Sequence, residues 1–164
     1  MVQRYPSSGK PAELQRPPAP PSVVNAVKLM YAGAAVSTVS LVISLADISG
    51  TKAAIRRARP SLTATQVNQL NTFIISLAIV SGLIGIGLWL WMAYANKAGK
   101  NWARITATVF FGLDTLSILT SFRQGEPVFS RLISILIWLI GLGAIVLLYQ
   151  RQSSAYFGAS KTPR

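Results

Sequence analysis

Four long apolar segments, separated by short polar ones, are the feature that most limits what this chain can form. They cover residues 26–48, 72–95, 102–122 and 132–149. Each is close to the ~20 residues that an α-helix needs to cross a bilayer. In hydrocarbon, a helix satisfies all of its backbone hydrogen bonds within its own segment. The sequence therefore predicts an all-α fold that is a four-transmembrane-helix bundle.

The composition agrees with a membrane protein and argues against several other classes. Only 12% of the residues are charged, about half of the ~25% found in soluble domains. The net charge of +12 comes from basic residues between the apolar segments, which is typical of membrane loops and does not indicate nucleic-acid binding. The chain has no Cys and no His, so it lacks thiol chemistry and the commonest metal ligand and general base. We expect no enzyme, no metal site and no cofactor.

The predicted domain organisation has three parts. Residues 1–22 contain the sequence RPPAPPS and form a disordered Pro-rich cytoplasmic tail, either a spacer or a ligand for a partner domain. Residues 23–150 form the transmembrane domain, and residues 151–164 form a second cytoplasmic tail. Thr63 and Gln66 are spaced as a capping box, so the second helix is predicted to begin near Ala64. The predicted helices are about 26–48, 64–95, 102–122 and 132–149.

The positive-inside rule predicts that both termini are cytoplasmic. With that orientation, ten of the sixteen basic residues lie inside and six outside. The sequence KAAIRRARP works against this orientation, because it places four cations outside: Lys52, Arg56, Arg57 and Arg59. The four cations form either a solvated face at the lipid head groups, which we favour, or a docking site for an anionic lipid, polymer or partner.

Small and hydroxylated residues at four-three spacing predict where the helices pack closely. In the first helix they include Gly33, Ser37, Ser40 and Ser44, and the stripe ends at Asp47, a predicted helix-end contact. The other glycines expected at helix contacts are Gly82 and Gly85 in the second helix and Gly141 in the fourth. An alternative is that some of these faces contact another copy or another subunit.

Asp114 lies near the midpoint of the third predicted helix. An ionisable residue inside a membrane is costly, so it is by default a functional candidate. It can be a proton- or ion-binding group, a tie to the serine stripe of the first helix, or a partner for a basic residue in another protein. We favour the tie, because the sequence places no second intramembrane acid or base at matching depth.

The stretch WLWMAYANKAGKNWAR, residues 89–104, predicts a tight cytoplasmic hairpin. Gly99 suits the end of one helix and Asn101 the N-cap of the next. Aromatic rings and cations concentrate at membrane boundaries, so the hairpin supplies predicted interfacial anchors that can also bind anionic lipid head groups or a partner: Trp89, Trp91, Tyr94, Lys97, Lys100, Trp102 and Arg104.

Two segments, AVKLMYAGA at residues 26–34 and GLWLWMAYANKAGKNWARITATVFFGLDT at 87–115, resemble a family of small four-span integral membrane proteins of actinobacteria. The tail and the segment PSLTATQV at 60–67 extend the resemblance. It implies a plasma-membrane location and brings no catalytic residues.

The function predicted from the sequence is non-enzymatic. We expect an accessory or scaffold subunit of a larger membrane or envelope complex, in contact with other membrane subunits or with copies of itself. The alternative is a small oligomeric transporter or channel in which Asp114 responds to protons or ions.

Overall fold

The computed structural model describes residues 18–121 and 128–159, and this part of the chain is helical, with no β-strand. Its six helices are α1 (Pro21–Ala46), α2 (Ile48–Ala58), α3 (Ala64–Lys97), α4 (Asn101–Ser121), α5 (Val128–Leu148) and α6 (Arg151–Ala159). Four of them, α1, α3, α4 and α5, are long and apolar enough to cross a membrane. The predicted all-α fold with four candidate spans is confirmed. Most of the Pro-rich tail lies outside the described residues.

The helix bounds differ from the predicted ones mainly at the starts of two spans. α1 begins at Pro21, within the segment predicted as tail and five residues before the predicted start at 26. Proline suits the first turn of a helix, where its missing N–H has no intrahelical partner anyway. α5 begins at Val128, four residues before the predicted start at 132. The predicted bounds were drawn from the apolar residues alone, and both helices begin before their continuous apolar segment.

The start of α3 is the predicted capping box, and the structure confirms it. The backbone N–H of Thr63 donates to Oε1 of Gln66 at 2.9 Å, and the backbone N–H of Gln66 donates to Oγ1 of Thr63 at 3.3 Å. α3 has 34 residues and is about 51 Å long at 1.5 Å per residue. It therefore exceeds the ~30 Å hydrocarbon core and extends beyond it.

A short basic helix, α2, occupies most of the first predicted loop. Asp47 ends α1 and caps α2, with the backbone N–H of Gly50 donating to Oδ1 of Asp47 at 3.0 Å. This confirms the predicted helix-end contact. Ile55 is the buried residue of α2, and α2 packs against α3. Such a short polar helix has little stability of its own, and it forms because the side chain of Ile55 is covered by a neighbouring helix.

α1 is the central helix of the bundle, packed along both α3 and α5, whereas α4 packs chiefly against α5 and less against α3. The main buried core lies at the end of the bundle where α1 begins and α5 ends. It contains ten residues: Val23, Ala26, Val27, Met30, Met92, Ala93, Ala107, Ala144, Leu148 and Phe157. Beside this core, a cavity lies between α3, α4 and α5.

The segment predicted as a C-terminal tail contains α6, which closes the packed end of the bundle. Phe157 is fully buried in the core. The buried hydroxyls of Ser153 and Ser22 are hydrogen-bonded at 2.8 Å, and the hydroxyl of Tyr156 donates to the carbonyl of Lys97 at 3.1 Å. α6 thereby joins α1, the α3–α4 hairpin and α5.

Candidate functional site

Asp114 lies about 20 Å from the start of α4, at 1.5 Å per residue, and its side chain is half-buried. It lines a cavity of about 350 Å³ between α3, α4 and α5, with Met30 of α1 at one wall. The lining is predominantly apolar. Besides Asp114, Ser117 is the one lining residue with a polar side-chain group other than the indole N–H of Trp89. One carboxyl group therefore borders an apolar cavity within a candidate membrane-spanning helix.

The carboxyl group of Asp114 has no hydrogen-bonding or ion-pairing side chain among residues 18–121 and 128–159. The structure does not form the tie to the serine stripe of α1 that we favoured from the sequence. Ser37 and Ser40 are half-buried, while Ser44 is exposed and donates to the carbonyl of Ser40 at 2.9 Å. The tie is missing because α4 packs along α5, away from α1.

Two glycines let aromatic rings enter the bundle beside the cavity. A Cβ atom on Gly33 would lie 2.9 Å from the indole ring of Trp89, and one on Gly141 would lie 3.2 Å from the ring of Phe111. Trp89 also packs against the buried core. It is therefore a wall of the cavity within the bundle, and this position differs from the predicted boundary anchor.

The two predicted packing glycines of α3 have different surroundings. A Cβ on Gly82 would lie 3.0 Å from the side chain of Leu41, so this glycine lies at the α1–α3 contact. A Cβ on Gly85 would meet nothing within 4 Å, and Gly85 lines the cavity. Gly85 is thus at the open space and not at a helix contact, which is a correction to its predicted role.

One aromatic contact fixes α4 to α5 on the far side of the cavity. The indole N–H of Trp138 donates to Oγ1 of Thr115 at 2.8 Å. The ring of Trp138 also stacks on Phe111, with centroids 5.5 Å apart. Sequence reasoning missed this pair. The available signal was a tryptophan inside the most apolar span, because a buried indole N–H usually finds an acceptor.

The α3–α4 hairpin has the predicted left-handed glycine at its turn. Gly99 has φ of 69°, which confirms its position at the end of α3. Asn101, predicted as the N-cap of the next helix, is instead the first residue of α4. Lys97, Lys100, Trp91, Tyr94 and Trp102 are exposed. Trp91 and Trp102 contact each other across the hairpin, with ring centroids 5.2 Å apart.

Arg104, predicted with these boundary residues, is directed towards α6 and the end of α5. Its Nη1 donates to Oγ of Ser154 at 3.2 Å. Its guanidinium group lies 4.6 Å from the ring centre of Tyr149 and 5.4 Å from that of Phe157. These distances are typical of cation–π contacts. Arg104 therefore connects α4 to α6. This position differs from the predicted contact of Arg104 with lipid head groups.

The basic residues of the predicted outer cluster lie on and just after α2. Arg56, Arg57 and Arg59 are exposed, and Lys52 is half-buried. In the described part of the chain none of the four forms an ion pair with a carboxylate. The cluster is a positively charged surface at the end of the bundle opposite α6.

No protein-family profile, curated protein sequence or solved structure gives a significant match to this chain. The fold and the site therefore define the class by themselves. Over residues 18–121 and 128–159 the protein is all-helical, with four helices suited to cross a membrane, and this part carries an apolar cavity lined by one carboxyl group.

Proposed function

We propose that this is a non-enzymatic, multi-pass plasma-membrane protein with cytoplasmic termini, which acts as an accessory or scaffold subunit of a larger membrane or envelope complex. The resemblance to small actinobacterial four-span proteins supports the plasma membrane. Exposed Lys97 and Lys100 beside the Trp91–Trp102 pair support a cytoplasmic hairpin in contact with anionic lipid head groups.

The observation that carries this proposal is the uncovered side of α4. Of the four candidate spans, α4 has the lowest hydropathy, yet it packs mainly along α5. This arrangement leaves Ser117 exposed and Asp114 only half-buried. Polar groups facing lipid are unfavourable, and helix association in membranes relies on such groups and on close contact. A neighbouring subunit that covers α4 removes this cost.

Gentle purification tests the proposal directly. Tagged protein extracted from its native membranes in mild detergent is expected to elute with a stoichiometric second protein, measured by light scattering and mass spectrometry. Ser117→Leu is expected to weaken this association at least severalfold, because it alters the uncovered side of α4. Leu139→Ala, at an exposed position of α5, is the control. Recovery of a lone monomer or homo-oligomer from several detergents contradicts the proposal.

A second function, a small oligomeric transporter or channel, is favoured by one observation: Asp114 borders a cavity instead of a packed helix contact. In proteoliposomes with an imposed proton gradient, Asp114→Asn is expected to abolish proton-coupled flux. Asp47→Asn is the matched control, because Asp47 caps α2 and asparagine caps a helix as well as aspartate. Equal flux in the two variants, or no flux above empty liposomes, contradicts transport.

A further inference from the structure

We propose that the cavity beside Asp114 binds a lipophilic organic cation, a molecule with one positive charge and an aromatic or alkyl body. A cation is complementary in charge to Asp114, whose carboxyl group lines the cavity and has no partner among the described side chains. A carboxylate in a medium of low dielectric constant attracts a nearby cation far more strongly than it does in water. A positively charged ligand therefore supplies a counter-charge for Asp114 that the described side chains do not provide.

The walls select an organic cation over an inorganic one. Trp89, Phe110 and Phe111 supply aromatic rings, and Met30 and Met92 supply polarizable sulfur. Aromatic faces attract organic ammonium-type cations, and methionine adapts to ligands of varied shape. Hard metal ions need about six oxygen ligands, which this apolar lining does not provide.

The size and position of the cavity fit the same ligand class. Its volume of about 350 Å³ is at the lower end of the ~300–1,000 Å³ found for sites of drug-sized molecules. Gly85 adds space on the α3 side, since nothing lies within 4 Å of its Cβ position. The cavity is partly open, and α4 packs less on α3 than on α5, so we expect a molecule dissolved in the bilayer to enter between α3 and α4.

This inference goes beyond association with other subunits, and the two are separable. A partner helix that inserts a basic side chain beside Asp114 is the competing occupant. The limited length of the cavity favours a small molecule over a helix, since the residues of α3 that line it run only from Gly85 to Met92.

A pair of ions with the same shape and opposite charge tests the proposal. Full-length protein in mild detergent is titrated with tetraphenylphosphonium, a cation, and tetraphenylborate, an anion, and binding is measured by equilibrium dialysis. We expect saturable binding of the cation and at least tenfold weaker binding of the anion. Asp114→Asn is expected to weaken cation binding about 30-fold, the equivalent of losing one partner of a buried charge pair. Asp47→Asn, the matched control, is expected to bind as the unmodified protein does.

A second variant removes the space and keeps the charge. Gly85→Leu directs a side chain into the open volume beside Gly85 and is expected to abolish cation binding with the melting temperature unchanged. Equal affinity for the two ions, or unchanged binding in both Asp114→Asn and Gly85→Leu, overturns the proposal. It is also overturned if purified protein binds neither ion and Asp114→Asn instead loses a co-purifying subunit. Recovery as a lone protein that still binds the cation contradicts only the accessory-subunit function.

Discussion

Replacing Phe157 by alanine is expected to undock α6 from the bundle. Truncating a buried phenylalanine costs about 3–5 kcal/mol, and Phe157 is fully buried among helices α1, α3, α4 and α5. The same change also removes one of the two rings beside the guanidinium group of Arg104. We expect the end of α6 that carries Ser153 to become accessible, because its cover is lost.

The measurement uses the absence of cysteine from the chain. A single Ser153→Cys, at a position that is 0% exposed, reports undocking through its rate of thiol labelling. Phe157→Ala in this background is expected to raise the labelling rate about 100-fold, which corresponds to roughly 3 kcal/mol. Phe129→Ala, the same substitution at an exposed position of α5, is expected to change it little. Equal labelling rates in the two variants would show that α6 does not depend on its buried ring.

Replacing Gly33 by leucine is expected to have the second largest effect on stability. Even a Cβ at Gly33 would lie 2.9 Å from the indole of Trp89, so leucine needs space that this ring occupies. Overpacking of this kind costs about 1–3 kcal/mol. The loss is expected as a lower midpoint in unfolding by a denaturing detergent. Displacement of Trp89 also disturbs the cavity wall, so cation binding is expected to weaken.

Gly87→Leu is the matched control for this prediction. Nothing lies within 4 Å of a Cβ at Gly87, and leucine is a better helix former than glycine by about 0.8 kcal/mol. We expect this variant to unfold at the same midpoint as the unmodified protein or a higher one. Similar midpoints for Gly33→Leu and Gly87→Leu would mean that α1 and α3 do not approach as closely as the Gly33–Trp89 contact requires.

The spans were predictable from the sequence because apolar length is read directly from the residues. The start of α3 was predictable for a different reason, since the Thr63–Gln66 capping box depends on residues three positions apart and on nothing distant. α2 and α6 were missed because each depends on tertiary cover of very few apolar side chains, Ile55 in one and Phe157 in the other. Such short helices have little stability of their own.

The candidate site was only half predictable. Asp114 was identified because an acid inside an apolar segment is conspicuous in any sequence. Its surroundings were not, because the faces of an apolar helix are alike in composition and its rotation is set by packing. Trp89 and Trp91 are two positions apart and look equivalent as boundary residues. In the structure the first packs against the core and the second is exposed.

The position of α1 between α3 and α5 has a consequence for biosynthesis. α1 is the first of the four spans to leave the ribosome, yet one of its two long contacts is with α5, the last span to be made. The hydrogen bond between Ser22 and Ser153 joins residues 131 positions apart. Contacts this distant in sequence form late, because a long loop must close first. A nascent or truncated chain that stops before α5 would therefore hold α1 with one side unpacked, a state that membrane quality-control proteases and chaperones can recognise.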